Sequence, residues 1–477
     1  MLLCINQVFS QTKPNLLIII TDQQRFDMMS RMQTELGVPA KSRVKTPNLD
    51  NLSRDGAYFR NAYTHCAVCV PARTSFLTGC ITEHTGVRSN SEATMALIAG
   101  KDAEKKLPLL RTYDMILTKN FGYIAEYYGK WHSPELLGYV YSNDVRIAGV
   151  SSAWFGKYEA DGTTKHISVG LTEEYRKWLV DNKIPETAPL QNQQTCTYSR
   201  RSYVPDPLDS RFGMPPGTTG ATEPDQHGKD LCPNGFSTTG REGVETLEAL
   251  DRLSKTGKPF SLTVSFHFPH PPFVVTDKYH SMYNPDSLKT PASIGDLMAN
   301  SAYAGGRTNI DAGYHDPVKI RRWMANYYGL VTECDEWVGK ILARLDSLKL
   351  GNNTMVVFMS DHGEMMGSHG LRSKNIFYEE SAHVPFLLRM PGKIPAGIVV
   401  EDPITSIDLH ATCLDYLGVT GNYPSDGKSL RRFIEGTNTS SEFIVTVWNT
   451  GSGPAFMVRK GDCKLMVPST AASTTLD

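Results

Sequence analysis

Three short apolar runs constrain this chain more than any other feature. Asn15-Leu16-Leu17-Ile18-Ile19-Ile20 ends in Thr21-Asp22-Gln23-Gln24-Arg25. Ser261-Leu262-Thr263-Val264-Ser265-Phe266 ends in His267-Phe268-Pro269-His270-Pro271-Pro272, and Met355-Val356-Val357-Phe358-Met359 ends in Ser360-Asp361-His362-Gly363-Glu364. Runs of this length without polar alternation belong to strands covered on both faces, the habit of parallel sheets. In open α/β sheets ligands bind beyond the carboxyl ends of the strands, so the three polar turns are expected to converge. Helical periodicity lies between them. Over 317–349, Ile320, Trp323, Tyr327, Val331, Val338, Ile341 and Leu345 recur at steps of three and four. Shorter helices are expected over Met115–Tyr127, Leu171–Val180 and Val244–Leu253. Strands alternating with helices predict an α/β domain.

A chain of 477 residues holds one large domain with attachments, or two to three domains. Residues 1–13 are expected to be a signal-peptide remnant or flexible lead, 14–400 a catalytic domain and 401–477 a C-terminal subdomain of short antiparallel strands. The signal-peptide option makes the protein exported. Two stretches without periodicity, 199–236 and 271–316, are expected to wall a substrate cleft. Trp154, Phe155, Tyr279, Tyr283 and Tyr303 offer faces for stacking sugar rings, or for ordinary loop packing. Lys+Arg total 49 against 50 Asp+Glu, a net charge of −1, which excludes a broad nucleic-acid surface. No run approaches the roughly 20 apolar residues of a membrane span. The nine cysteines form no zinc pattern. Cys66-Ala-Val-Cys69 is formally a redox pair, but it does not follow the first strand as a thioredoxin-like motif would.

The most specific segment is Cys69-Val70-Pro71-Ala72-Arg73-Thr74-Ser75-Phe76-Leu77-Thr78-Gly79. It resembles the signature of the type I, formylglycine-dependent sulfatases of the alkaline phosphatase superfamily. The resemblance implies that Cys69 is oxidised to formylglycine, an aldehyde hydrated in the resting enzyme, by a formylglycine-generating or anaerobic sulfatase-maturating enzyme. A helix beginning near Pro71 would turn its N-terminus toward an anion, and Arg73 would add a permanent cation. The family's metal ligands correspond to Asp22, Gln23, Asp361, His362 and one oxygen from modified Cys69. Most members have Asp where Gln23 stands, so this site carries one negative charge less. Mostly oxygen donors favour Ca²⁺, and the imidazole of His362 brings Mn²⁺ and Mg²⁺ closer than usual. Gly129-Lys130-Trp131-His132 matches the family's Lys-x-His segment, Pro269-His270-Pro271-Pro272 its Pro-His-x-Pro segment, and Lys374 its second sulfate-binding lysine. His267 and His369 are near misses, weighed evenly between subsite and structural roles.

The implied fold is alkaline-phosphatase-like: a central mixed sheet between helices, with a smaller C-terminal antiparallel sheet. The implied reaction is hydrolysis of a sulfate ester, with a sulfated carbohydrate as the expected substrate. Cys69 supplies the nucleophile, Arg73 helps ionise it, and Lys130 and Lys374 hold sulfuryl oxygens. His270 contacts the ester oxygen, and His132 is the base of the second step. Two competitors remain open on sequence: a phosphonate monoester or phosphodiester hydrolase of the same superfamily, and a non-catalytic homologue that binds sulfated glycan. A small choline-sulfate-like ester is a further substrate option.

Overall fold

The structure is a computed structural model. It describes residues 13–90, 110–134, 137, 140–141, 156–158, 164–166, 203–205, 227–230, 237–296, 314–437, 443–450 and 453–467. The expected helix over Leu171–Val180, the loop over most of 199–236, and Trp154, Phe155 and Tyr303 lie outside the described residues.

The apolar runs form the centre of a seven-stranded mixed sheet. Its strands, in chain order, are β1 (Asn15–Thr21), β2 (Ala57–Phe59), β3 (Ile124–Gly129), β4 (Phe260–Phe266), β5 (Thr354–Ser360), β6 (Phe386–Arg389) and β7 (Ile398–Val400). Their spatial order is β7-β2-β6-β5-β1-β4-β3. The middle of the sheet, β5-β1-β4-β3, is parallel, and β6 runs antiparallel to both β5 and β2. Every residue of β1, β4 and β5 is buried.

The absence of alternation has a direct cause. Leu17 and Ile19 pack into a layer with Val331, Val338 and Ile341 of the long helix α4 (Pro317–Ser347). Leu16, Ile18 and Ile20 face the opposite layer, with Phe76 and Leu77 of α1 (Cys69–Thr78) and Leu409 and Cys413 of α5 (Asp408–Tyr416). Both faces of β1 are therefore apolar because each meets helices. The start of α4 is legible in Asp316-Pro317: the Asp316 side chain accepts from the Val318 N–H at 2.8 Å, and Pro317 occupies the first turn.

One helix expectation needs correction. The segment Met115–Tyr127 is two elements, α2 (Tyr113–Phe121) and then β3. Gly122 ends the helix in the left-handed region, φ 73°, and the chain turns back as the edge strand beside β4. The expected Val244–Leu253 helix starts earlier, as α3 (Thr238–Leu253), because the Ser237 hydroxyl caps the Gly240 N–H at 2.9 Å. Within 271–316, Phe273–Thr276 is a buried strand, and Tyr279 and Tyr283 are core residues rather than exposed stacking platforms.

After α5 the chain forms β8 (Phe443–Thr450), β9 (Gly453–Lys460) and β10 (Cys463–Val467), a three-stranded antiparallel sheet. Its inner face sets Ile444, Ala455 and Met457 against Tyr63 and Phe377. His65 ties it to the approach to α1: its Nδ1 meets the Val445 carbonyl at 3.2 Å, and its Nε2 accepts from the Thr82 N–H at 3.1 Å.

Candidate active site

The register of the parallel strands builds the site. Thr21 pairs with Ser360 on one side and Phe266 on the other, so Asp22 and Asp361 emerge side by side. Gly129 pairs with Ser265, which brings Lys130 to the same end of the sheet. The helix α1 then points its N-terminus at them. Cys69 is its first residue, two positions ahead of the start expected from Pro71, and all ten of its residues are buried. At its far end Gly79 (φ 70°) is obligatory, since a Cβ there would sit 2.3 Å from Ser425 Oγ and 2.8 Å from His410 Cβ.

Four potential ligand atoms, one each from Asp22, Cys69, Asp361 and His362, lie within 4.8 Å of one another. Cys69 Sγ is 3.0 Å from His362 Nε2. His362 Nδ1 faces the Gly363 carbonyl at 3.0 Å; donating there leaves the Nε2 lone pair toward the cluster. Asp22 Oδ1 is buried and has no hydrogen-bond partner. An orphaned carboxylate oxygen among three further donors is costly without a cation, so the residues present fit a divalent metal.

Arg73, with no exposed surface, clamps both acids: Nη2 donates to Asp22 Oδ2 and Nε to Asp361 Oδ2, each at 2.9 Å. Its Nη1 donates to the Lys130 carbonyl (2.9 Å) and Ser265 Oγ (2.8 Å). Lys130 Nζ lies 2.6 Å from Asp22 Oδ2 and 4.0 Å from Cys69 Sγ. Lys374 Nζ donates to Gln23 Oε1 at 2.5 Å.

These charges decide the protonation states. Burial alone would raise Asp22, but Lys130, His270, Arg73 and Lys374 outweigh it and hold its carboxyl well below the usual range. Burial would likewise raise the Cys69 thiol, yet Lys130, Lys374 and His362 bring it well below its ordinary value. Asp361 goes the other way, to about 6, through burial and the neighbouring Asp22 charge. The second thiol of the formal redox pair, Cys66, is buried and pushed up mainly by that burial, and both cysteines are free. Burial and Lys130 lower His132 to about 4. A hydrogen bond with the Cys69 side chain opposes that lowering, and the His132 backbone is held at φ 42°. His270 is depressed well below its usual value by burial, Lys374 and Lys130, and its Nδ1 faces the Pro271 carbonyl at 2.7 Å.

The expected metal ligands and catalytic residues thus reach one end of the sheet. The two near misses do not join the cluster. His267 Nδ1 pairs with Glu242, and His369 pairs with Asp296 at 2.7 Å while stacking on Tyr378. Sequence reading missed three supports. Glu364 binds the Gln23 amide, Ser265 holds Arg73, and the Tyr327 hydroxyl donates to the Gln23 carbonyl at 2.5 Å. Glu364 stood in the turn already marked as ligand-rich; Ser265 and Tyr327 looked like ordinary strand and helix-face residues.

A buried cysteine with a lowered pKa at a helix N-terminus, permanent cations on its flanks and a donor set ready for a divalent ion suit a hydrolase for anionic esters. The mixed sheet with its small antiparallel companion is the alkaline-phosphatase-like architecture. The family model described as Sulfatase matches residues 14–419, and the chain belongs to that family. It is a sulfuric ester hydrolase. A relative named multifunctional alkaline phosphatase superfamily protein PehA, from Trinickia caryophylli, is 29% identical over 451 residues, covering 89% of this chain and 77% of the relative. An ulvan-active sulfatase from Formosa agariphila is 27% identical over 452 residues, covering 93% and 70%. Among solved structures, a phosphonate monoester hydrolase from Silicibacter pomeroyi superposes with a TM-score of 0.69 at 23% identity, covering 96% of this chain and 87% of that one. No helix among the described residues is long and apolar enough to cross a membrane.

Proposed function

We propose that this chain hydrolyses a sulfate ester of a carbohydrate, with formylglycine formed from Cys69 as the nucleophile and one divalent cation, Ca²⁺ ahead of Mn²⁺ or Mg²⁺. The observation that carries the reading is the setting of Cys69: first residue of α1, 3.0 Å from His362 Nε2, with Lys130 and Lys374 lowering its pKa against the burial that would raise it. A hydrated aldehyde there would inherit the same cationic surroundings, and a maturating enzyme is the partner this chemistry requires.

Asp22, Asp361, His362 and the oxygen replacing the Cys69 thiol would hold the cation, which supplies Lewis acidity toward the nucleophile and the sulfuryl oxygens. Arg73 fixes Asp22 and Asp361 and adds positive charge beneath the nucleophile. Lys130 and Lys374 neutralise sulfuryl oxygens as charge moves onto the leaving group. His132, neutral at working pH because burial and Lys130 lower it, is the base that takes a proton from the Cys69-derived hydroxyl. His270 donates at Nδ1 to the Pro271 carbonyl, so its neutral ring accepts at Nε2. The proton for the leaving alcohol then comes from the Lys374 ammonium, with His270 orienting it. The carbohydrate assignment is supported by the ulvan-active relative, and export would suit a polymeric substrate.

A second reading has its own support. His362 places an imidazole in the donor set, and Gln23 leaves the site one negative charge poorer. Phosphonate monoesters and phosphodiesters carry the same single negative charge as a sulfate monoester, so the cations that would hold a sulfuryl group serve them equally. Parallel kcat/KM measurements on an aryl sulfate, sulfated oligosaccharides and phenyl phosphonate test the choice. Sulfate esters turned over faster than the phosphonate support the sulfatase reading; a preference for the phosphonate overturns it.

A further inference from the structure

The hairpin that carries Lys374 also presents a cation that the proposed reaction does not use. The Met365 N–H donates to the Ser373 carbonyl and the Gly367 N–H to the Leu371 carbonyl, each at 2.7 Å, so the return arm runs through Arg372 into Lys374. The Cα atoms of Arg372 and Lys374 are at most about 7 Å apart. Arg372 is half-buried, yet its guanidinium makes no hydrogen bond and no ion pair among the described residues. It lies over the ring of Tyr314, 5.3 Å from the centroid, and Tyr314 is itself buried against Trp323. Lys319 Nζ stands 5.5 Å from the Tyr314 centroid and 5.0 Å from that of Trp323. This patch lies beyond the carboxyl ends of the strands. The Tyr327 hydroxyl bonds the Gln23 carbonyl, and from there α4 descends along β1 toward the start of β5. Lys319, eight residues the other way, stands about 12 Å further along the helix axis.

We infer that Arg372, with Lys319 beside it, forms a subsite for a second oxyanion of the substrate, a sulfate ester or a uronate carboxylate on the sugar ring next to the one being desulfated. The inference rests on the reading above that Lys374 holds the scissile sulfuryl group. A guanidinium held over an aromatic face keeps its charge and its N–H edge, which can take two oxygens of one anion. The acids closest along these segments have partners of their own: Asp296 pairs with His369 at 2.7 Å, and Asp316 caps α4 through the Val318 N–H. A compact aryl sulfate places nothing at this distance. Arg372 therefore selects substrate without touching the reacting atoms, and favours a polyanionic carbohydrate over a singly sulfated one.

Three probes test the subsite on matured, Ca²⁺-loaded protein: a singly sulfated disaccharide, the same disaccharide with a second sulfate on the neighbouring ring, and the same with a uronate there. Affinity is read as Ki in initial-rate competition against an aryl sulfate, or by calorimetry should no sulfate ester be turned over. Wild type is expected to bind at least one doubly charged probe about 10-fold tighter than the singly charged one, as a charge-assisted pair warrants. The preferred probe tells sulfate from carboxylate. Arg372→Met keeps a stem over Tyr314 and drops the charge. It should erase the preference, while Ki for the singly sulfated probe and both kcat and KM on the aryl sulfate stay within about 2-fold of wild type. Arg372→Lys keeps the charge without the fork, and should retain part of the preference at low salt and lose it as salt rises. Melting temperature and the mass of the Cys69 peptide control for folding and maturation. No preference in wild type, or an Arg372→Met variant that weakens singly and doubly charged probes alike, would overturn the subsite. Wild type that turns over no sulfate ester, yet prefers the doubly charged probes through Arg372, would instead sink the functional reading and leave Arg372 its binding role.

Discussion

Asp22 and Asp114 are both completely buried carboxylates, and they behave in opposite ways. Asp22 sits among Lys130, Arg73, His270 and Lys374 and is held well below its usual pKa. Asp114, in the first turn of α2, receives the Tyr141 hydroxyl at 2.7 Å and a further hydrogen bond from the Ser261 side chain. Burial raises it to about 7, against modest opposition from Ser261 and Tyr141. The same desolvation acts on both. Cations turn one into a permanent anion and leave the other an acid neutral below pH 7. Burial of a carboxylate is therefore no guide to function; the company it keeps is.

Four variants sharpen that contrast, in descending order of effect. Cys69→Ala removes the proposed nucleophile from the charged cluster and should lower kcat by at least about 10⁴-fold with melting temperature little changed. Activity retained at the level of wild type would move the chemistry elsewhere. Lys130→Ala leaves Asp22 with one fewer counter-charge and, in the proposed reaction, a sulfuryl oxygen without its donor, so kcat/KM on an aryl sulfate should fall by about 10²- to 10³-fold. Chelation and dialysis should abolish turnover and lower the melting temperature. Readdition of Ca²⁺ at about 100 times its Kd should return about 2.7 kcal/mol of stability. Asp361→Asn should blunt that metal-dependent shift.

Asp114→Asn probes the other side of the comparison. A folded pKa raised from 3.8 to about 7 means the native state holds a proton that the unfolded chain releases. Stability from this group is fully present below about pH 4, falls as pH rises toward 7 and is flat above. The span is at most about 4 kcal/mol. Asparagine keeps an acceptor for Tyr141 without the charge, so denaturant unfolding should show the variant gaining up to about 2.6 kcal/mol on wild type at pH 8 relative to pH 5. A pH-independent difference would refute the assignment of Asp114 as a neutral acid. Catalytic constants should be untouched, in contrast to every substitution in the Asp22 cluster.

The same two environments explain what the sequence could reveal. The β1, β4 and β5 runs were legible because strands covered on both faces carry a simple apolar signal, and α4 because 31 residues sample its buried stripe many times. The boundary between α2 and β3 was not, because it rests on one glycine adopting φ 73° within a continuous mixed segment. The start of α1 was misplaced by two residues because that helix is buried all round and has no periodicity to mark its ends. Among site residues, those inside the marked turns or the sulfatase-like segments were recoverable. Glu364 lay in plain view, but its role depends on a bond to Gln23 across 341 positions, which no local pattern encodes. Tyr327 was read only as a face of α4, although its hydroxyl props the metal-proximal turn.

The central claim is that Cys69 is converted to the nucleophile of a sulfate ester hydrolase. Mass spectrometry of the tryptic peptide spanning Asn61 to Arg73, from protein co-expressed with a formylglycine-generating enzyme, tests it most directly. The account predicts loss of one sulfur and two hydrogens and gain of one oxygen at Cys69, with Cys66 intact, and aryl sulfate turnover that rises with the modified fraction. An unmodified Cys69 in protein that still turns over sulfate esters would contradict it.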